Sequence, residues 1–544
     1  MMRVCLLLCL MGAAALAREV PLRDLPPAVT QGLKKRFPLA TIRKAELDRY
    51  GPEGESRTIP TFELRCLTPY GTIEVLVGED GFVLEEEFKH RPRLGELVKP
   101  EHLAADLDAF ESGLRERFAY LRANDADLSA AMKELRALAG KKEITLGEFG
   151  WLLQNVLARF IDGHAEISPL SRSRRSFLPF LVEPLGDRFV AFLPDRSAHL
   201  AEGFPYLAEI DGVPMAKWIE VAAQVVPRGS PQYRTRHALR WLREIQLFRG
   251  WAGFKATDEV SVTLVSEQGK RTKRTMALVM EYPMYGHWPM TMRKPEPRVL
   301  ENGIAYLPLP TMRATAVRTI LTWMPQFKET RGLVIDVRGN GGGARLALQK
   351  LYPMLMGPDE APQVVSVAKY RLSPAFAADH LDARMMRRAN DKRLSDAERA
   401  AITAFSESFQ PAWAPPAKEF SDWHYFVISK GATPTYDKPV VVLMDAKCFS
   451  ATDIFLGALK GRPNVTLVGS TSAGGSAYAR KFFLPHTCIE VRCASMASFQ
   501  PNGKLYDTNG IVPDVAVETP VDYFVQSGKD VVMERALKLL TDEG

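Results

Sequence analysis

The sequence predicts an α/β core with a mostly parallel sheet, preceded by a small α+β unit, a helical segment and a β-rich unit. Three observations carry this. From about residue 298 short apolar runs, Gly303–Leu309, Gly332–Val337, Pro439–Met444 and Val465–Gly469, alternate with helical stretches, the pattern of buried parallel strands joined by βαβ connections. Upstream, Leu146, Phe149, Leu152, Leu153, Val156, Leu157 and Phe160 recur at helical spacing. Between the two, residues 176–282 carry short alternating segments separated by turn residues. A length of 544 residues allows three to four domains at about 150 residues each. A composition 46% hydrophobic and 25% charged excludes a largely disordered chain, a collagen-like fibre and a disulfide-stapled scaffold. Lys plus Arg exceed Asp plus Glu by 71 to 64, a net charge of +7. The excess is mild and contains no run of five basic residues, so it does not indicate nucleic-acid binding.

Residues 1–17 combine an early Arg3, an apolar run from Val4 to Leu16 and small residues at Ala15 and Ala17. This is the pattern of a cleaved export signal, and it is too short to span a bilayer comfortably. The expected mature chain is periplasmic or secreted, with no later transmembrane span. Cys66, Cys448, Cys488 and Cys493 remain in it. Cys488 and Cys493 could pair across a bend or stay as thiols, and no zinc-type cluster is visible.

Residues 18–98 read as a helix over Ala28–Phe37 followed by strands Thr61–Leu67, Thr72–Val77 and Phe82–Phe88, a pattern similar to PepSY-like modules. Residues 99–175 are expected to be a helical segment, periodic over 101–162 and stopped at Asp162-Gly163-His164. Residues 176–297 carry strands at Arg188–Leu193, Tyr206–Ile210, Val260–Val265 and Thr272–Val279. The phrase Leu207-Ala208-Glu209-Ile210-Asp211-Gly212-Val213-Pro214 resembles a PDZ strand and turn, although the stretch from Val226 to Phe254 is longer and more basic than a compact PDZ unit needs. Residues 298–544 form the α/β core, with a polar, helical cap insertion at about 356–436.

Two loops in the core and one before it carry reactive groups. Asp336-Val337-Arg338-Gly339-Asn340-Gly341-Gly342-Gly343 follows a strand and precedes a helix. Its glycines let backbone N–H groups approach an anion. Gly339, Gly341 and Ala344 fit a dinucleotide fingerprint, but that reading wants an acid ending the next strand, and Asp359 and Glu360 precede the next apolar run instead. The second loop, Asp445-Ala446-Lys447-Cys448-Phe449-Ser450-Ala451-Thr452-Asp453, lies between strand and helix. Ser450 and Asp453 are spaced like a capping box. A serine at a helix N-terminus after a parallel strand also stands where ligands bind in open α/β sheets. The third place is His164, one of nine histidines; a hydroxyl nucleophile needs a base, and spacing alone selects none of them.

Residues 298–520 resemble the C-terminal-processing peptidases, which include tail-specific protease and the tricorn core. The resemblance rests on Gly332–Gly343, Ser450-Ala451-Thr452-Asp453-Ile454-Phe455, Val468-Gly469 with Gly474-Gly475, and Gly510-Ile511-Val512-Pro513-Asp514. It implies a ClpP/crotonase-like core and a serine peptidase acting on proteins or peptides, with no cofactor. Ser450 would be the nucleophile, and the N–H groups of Gly342 and Ala451 would form the oxyanion hole. One branch uses a lysine base; its position is Gly475 here, and the nearest lysine is Lys481. The other branch, similar to chlamydial protease-like activity factor, uses an upstream histidine and an acid before the G-x-x-P-D block, which are His164 and Asp507 here. The family usually has Glu where Asp507 stands. The resulting expectation is a Ser450–His164–Asp507 triad working through an acyl-enzyme. Two alternatives stand beside it: a Ser–Lys dyad with Lys481, and an inactive peptide or lipid carrier on the same fold. Homodimer formation stays open.

Overall fold

The computed structural model describes residues 18–50, 59–88, 93–140, 143–168, 170, 175–280, 296–376, 380–525 and 528–542. The expected export signal, residues 1–17, lies outside the described residues.

The four apolar runs of the core are adjacent strands. The central sheet runs in the order Arg298–Val299, Ala305–Pro308, Leu333–Asp336, Val440–Met444, Val465–Gly469 and Val515–Ala516. All neighbours are parallel except the first pair. Every residue of Leu333–Asp336 and Val440–Met444 is buried, because alternate side chains point to opposite faces and both faces are covered. Leu333, Ile335, Val440 and Val442 pack on one side with Ile320, Leu348, Ile454 and Phe455. Val334, Val441, Leu443 and Val468 pack on the other with Val532, Ala536 and Leu540 of the helix Val531–Asp542. Each such aliphatic side chain contributes about 1.5–3 kcal/mol of burial free energy.

The insertion at 356–436 departs from expectation. It contains the helix Asp396–Ser408, started by a Ser395–Glu398 capping box, but also the strands Gln363–Tyr370 and His424–Ile428. These belong to an antiparallel sheet that Met496–Phe499 completes. The partner strand lies more than a hundred residues downstream, so local polarity does not reveal the pairing.

The helical segment is three helices, Pro100–Arg117, Leu128–Ala139 and Leu146–Leu157. Asp127 caps the second by accepting from the N–H groups of Ser129 and Ala130, and Thr145 with Glu148 forms a capping box on the third. The third ends at Leu157, earlier than expected. His164 therefore sits on a loop whose far end, Glu166–Ser168, pairs with Glu490–Ala494. That register, Ile167 opposite Val491, ties the loop to the core.

Residues 18–50 and 59–88 form a five-stranded antiparallel sheet with the helix Pro27–Arg36. It includes a strand, Thr41–Tyr50, that its charged composition conceals. This unit packs on Phe483 and Cys488, and the Arg36 guanidinium donates to the Phe483 carbonyl at 2.7 Å. Residues 175–280 supply strands Leu181–Leu185, Arg188–Phe192, Tyr206–Ile210, Glu259–Val265 and Arg271–Ala277 in one sheet. The basic stretch after Val226 forms two helices, Pro231–Leu242 and Ile245–Trp251. Cys66, Cys448, Cys488 and Cys493 are all buried. Among the described residues no helix is long and apolar enough to cross a membrane.

Candidate active site

The glycine loop and the Ser450 loop leave the carboxyl ends of two neighbouring parallel strands, Leu333–Asp336 and Val440–Met444, the edge where open α/β sheets hold ligands. The glycine loop is rooted by Arg338, whose buried guanidinium pairs with Asp336 at 2.7 Å and with Asp530 at 2.6 Å. Asn340 is fully buried and fastens the loop at three points. Its Nδ2 donates to the Leu309 carbonyl at 2.7 Å, its Oδ1 accepts from the Gly342 N–H at 2.9 Å, and its own carbonyl accepts from the Phe449 N–H at 3.1 Å. Gly342 has φ +103°. A Cβ there would stand 2.7 Å from the Ser450 Cβ and 3.0 Å from the Ala451 nitrogen.

Ser450 immediately precedes the helix Ala451–Leu459 but does not cap it with its side chain. Its backbone adopts φ 61°, ψ −119°, a strained conformation for a residue with a Cβ. That turn aims the hydroxyl away from the helix, and Oγ lies 3.1 Å from the Nε2 of His164. Asp453, the other half of the expected capping box, accepts from the Ser472 hydroxyl at 2.5 Å and the Gly474 N–H at 3.1 Å. Ala451 occupies the first position of the helix, where an N–H has no acceptor within the helix.

The His164 ring stacks on Phe449, with centroids 4.6 Å apart and planes 26° apart. Two glycines make room for that phenyl ring: a Cβ on either Gly163 or Gly475 would collide with it. Gly475 is the position that holds the lysine base in the other branch, so here the ring supporting the histidine takes the lysine's space. Lys481 is remote from Ser450 in role; it lies on the strand Ala479–Phe483, pairs with Glu490 at 3.6 Å and is about half exposed. The Ser–Lys alternative therefore has no geometric support. Burial, followed by the charges of Arg492 and Arg384, holds the imidazole down to about 3, so it is neutral near pH 7 and can accept a proton.

Asp507 comes to the same place, with one difference from expectation. It does not hydrogen-bond the imidazole. Its Oδ1 accepts from the Gly163 N–H at 3.2 Å, and its Oδ2 accepts from the Tyr120 hydroxyl at 2.9 Å and the Ser476 N–H at 3.0 Å. The shorter side chain thus grips the backbone of the histidine loop, and His164 Nδ1 is buried with no hydrogen-bond partner among the described residues. Gly342 also differs from expectation: its N–H is already used by Asn340, which leaves Ala451 as the uncommitted member of the pair.

Asp162 is the group that sequence reasoning missed. It is fully buried, and its two oxygens accept from the His164 N–H at 2.8 Å and the Ala494 N–H at 2.7 Å. A ring nitrogen of His164 and one oxygen each from Asp162 and Asp507 lie within 4.8 Å of one another. Among the described residues this is the one set spaced to ligate a metal, and its carboxylates are engaged by these five hydrogen bonds. The only signal in the sequence was its place two residues before the histidine. Burial, and then the charge of Asp507, raises the Asp162 carboxyl to about 7; Asp507 is raised by burial as well.

The sign of the resulting pH dependence follows from linkage. Asp162 titrates near 3.9 when unfolded and near 7 when folded. Its contribution is complete below about pH 4 and is lost as pH rises through about 7. Wild type should therefore lose more melting temperature than Asp162→Asn between about pH 5 and about pH 8. Thermal melts of the two proteins at both pH values check this, and parallel losses would contradict it.

Residues 303–517 match the model of peptidase family S41. That stretch of the chain belongs to family S41. The S41 core carries the glycine loop, Ser450 and Asp507, whereas His164, Asp162 and Tyr120 come from outside the match. The fold likeness is broader. The crystal structure of mature CPAF is 16% identical, covers 82% of this chain and 99% of its own, and superposes with a TM-score of 0.59. Mature CPAF complexed with lactacystin, also 16% identical, covers 81% and 100% with a TM-score of 0.55. No curated protein sequence matches the chain. Family S41 is a peptidase family, so the core is that of a peptidase, a hydrolase acting on proteins or peptides.

Proposed function

We propose that this protein is an exported serine endopeptidase that uses Ser450, His164 and Asp507 and works through an acyl-enzyme. The observation that carries the reading is the 3.1 Å contact between His164 Nε2 and Ser450 Oγ, made by a serine held in a strained turn. His164, neutral and with its proton on Nδ1, takes the hydroxyl proton at Nε2 as Oγ attacks the peptide carbonyl carbon. The Ala451 N–H and the positive end of its helix stabilise the oxyanion. As the intermediate collapses, the C–N bond breaks, His164 gives its proton to the leaving amine, and the acyl group stays on Oγ. Water, deprotonated by His164, then releases the acid and restores the serine. Asp507 and Asp162 are positioning residues that hold the backbone on either side of Gly163. The export part of the reading is supported by the signal pattern of residues 1–17. A carrier function would leave the Ser450 conformation and its contact with His164 without a use.

A serine-reactive phosphonate tests the chemistry. Wild type should be labelled at Ser450, located by mass spectrometry of the digested adduct. Ser450→Ala should take up none, His164→Ala should react at least about 100-fold more slowly, and Lys481→Ala should react like wild type. Label on another residue, or undiminished labelling of His164→Ala, would sink the reading.

A further inference from the structure

The helix Pro231–Leu242 docks directly on the active site. The Tyr233 hydroxyl donates to the Gly163 carbonyl at 3.0 Å, and the Gln232 side chain donates to the Ser472 carbonyl at 2.7 Å. Arg236 and Arg240, one turn apart on this helix, line the same cavity of about 570 Å³ as His164 and Ser450. The basic stretch after Val226 is thus a wall of their cleft. Arg236, Ala446 and Lys447 are shared with a second cavity, of about 1290 Å³, between residues 184–188 and residues 517–525 and 528–532.

That larger cavity holds cations with unused donors. Arg196 lines it, is 8% exposed, and has a buried Nη2 with no hydrogen-bond partner among the described residues. The Nη1 of Arg236 is in the same condition. Arg196 is held by a backbone at φ 62°, uncommon for a residue with a side chain, and its guanidinium stands 5.7 Å from the Phe192 ring centroid. The buried and half-buried carboxylates nearby are committed, while Asp187, Glu267 and Glu518 on the same lining are exposed. Glu183 is shared by Arg236 at 2.6 Å and Lys447 at 3.0 Å, Asp530 pairs with Arg338, and Asp445 accepts from the N–H groups of Gly339 and Lys447. Buried guanidinium N–H groups without acceptors are costly, and a carboxylate matches their geometry and charge.

We propose that the substrate chain runs from Ser450 past Ala446 and Lys447 into the larger cavity and sets an acidic side chain against Arg196 and Arg236. The subsite selects acidic peptide segments. It rests on the serine-peptidase reading for the direction of the chain, and it is tested without chemistry.

In the full-length Ser450→Ala protein, fluorescence anisotropy compares a labelled Glu/Ala peptide with its Gln/Ala isostere. The Glu peptide should bind about tenfold or more tightly, the scale of a charge-assisted hydrogen bond. The preference should shrink with added salt and be largely lost in Arg196→Gln and Arg236→Gln. Amidating the peptide's C-terminus should leave it in place. Equal affinity for the two peptides, a preference indifferent to salt, one retained in both arginine variants, or one that vanishes on amidation would each overturn the subsite. If an arginine variant fails to give a cooperative melt, the peptide and salt comparisons on Ser450→Ala still decide. Failure of the peptidase reading would show in phosphonate labelling, which this binding measurement does not use.

Discussion

Ser450→Ala and His164→Ala are each expected to lower kcat on a peptide substrate by about a million-fold, because nucleophile and base act as one unit. Oγ and Nε2 are 3.1 Å apart, close enough for direct proton transfer. The double variant should be no worse than either single one, since removing half of a proton-transfer pair already forfeits its work. Asp507→Asn should cost less. Its carboxylate holds the Gly163 N–H rather than the ring, so a neutral amide oxygen keeps part of the grip. Steady-state kinetics with a quenched fluorescent peptide measure all four. A His164→Ala enzyme within about tenfold of wild type, less than general-base catalysis supplies, would remove the histidine from the mechanism.

Gly342→Ala is expected to lower kcat by about 10²–10³-fold, the cost of losing one oxyanion donor. At φ +103° a side chain is strained, which costs about 1–3 kcal/mol. The added methyl would also stand between the Ser450 Cβ and the Ala451 nitrogen, where a developing oxyanion would meet the helix. The donor lost would be the Ala451 N–H, since Asn340 holds the Gly342 N–H. The variant should bind phosphonate slowly while still melting cooperatively. A folded Gly342→Ala enzyme with wild-type kcat would show that the oxyanion is stabilised elsewhere.

Much of the core was legible because buried parallel strands write themselves locally: Val440–Met444 is apolar at every position, and every position is buried. The same locality explains what was not. Thr41–Tyr50 carries Arg43, Lys44, Glu46, Asp48 and Arg49, and it is a strand because Ile59–Thr68 pairs along its whole length. Gln363–Tyr370 depends in the same way on a strand around residue 497. At the site, Ser450 was readable from the loop around it, whereas His164 and Asp507 were singled out by resemblance rather than by spacing. Asp507's actual partners were hidden because they arrive from elsewhere: Tyr120 is 387 residues away in sequence. Asp162 carried no pattern of its own, and its significance comes from being buried beside a second carboxylate. The basic helix was visible as charge, but charge alone does not say which surface it faces.

The docking of the His164 loop onto the core bears on where this enzyme's smallest working unit ends. A chain trimmed to residues 303–517 would keep the serine, the glycine loop and the acid, yet it would lack the proton acceptor and the tyrosine that steadies the acid. Such a piece would also lose the helix Val531–Asp542, which covers one face of the sheet. Activity then belongs to the closure of two distant stretches of chain, a slow, long-range event in folding.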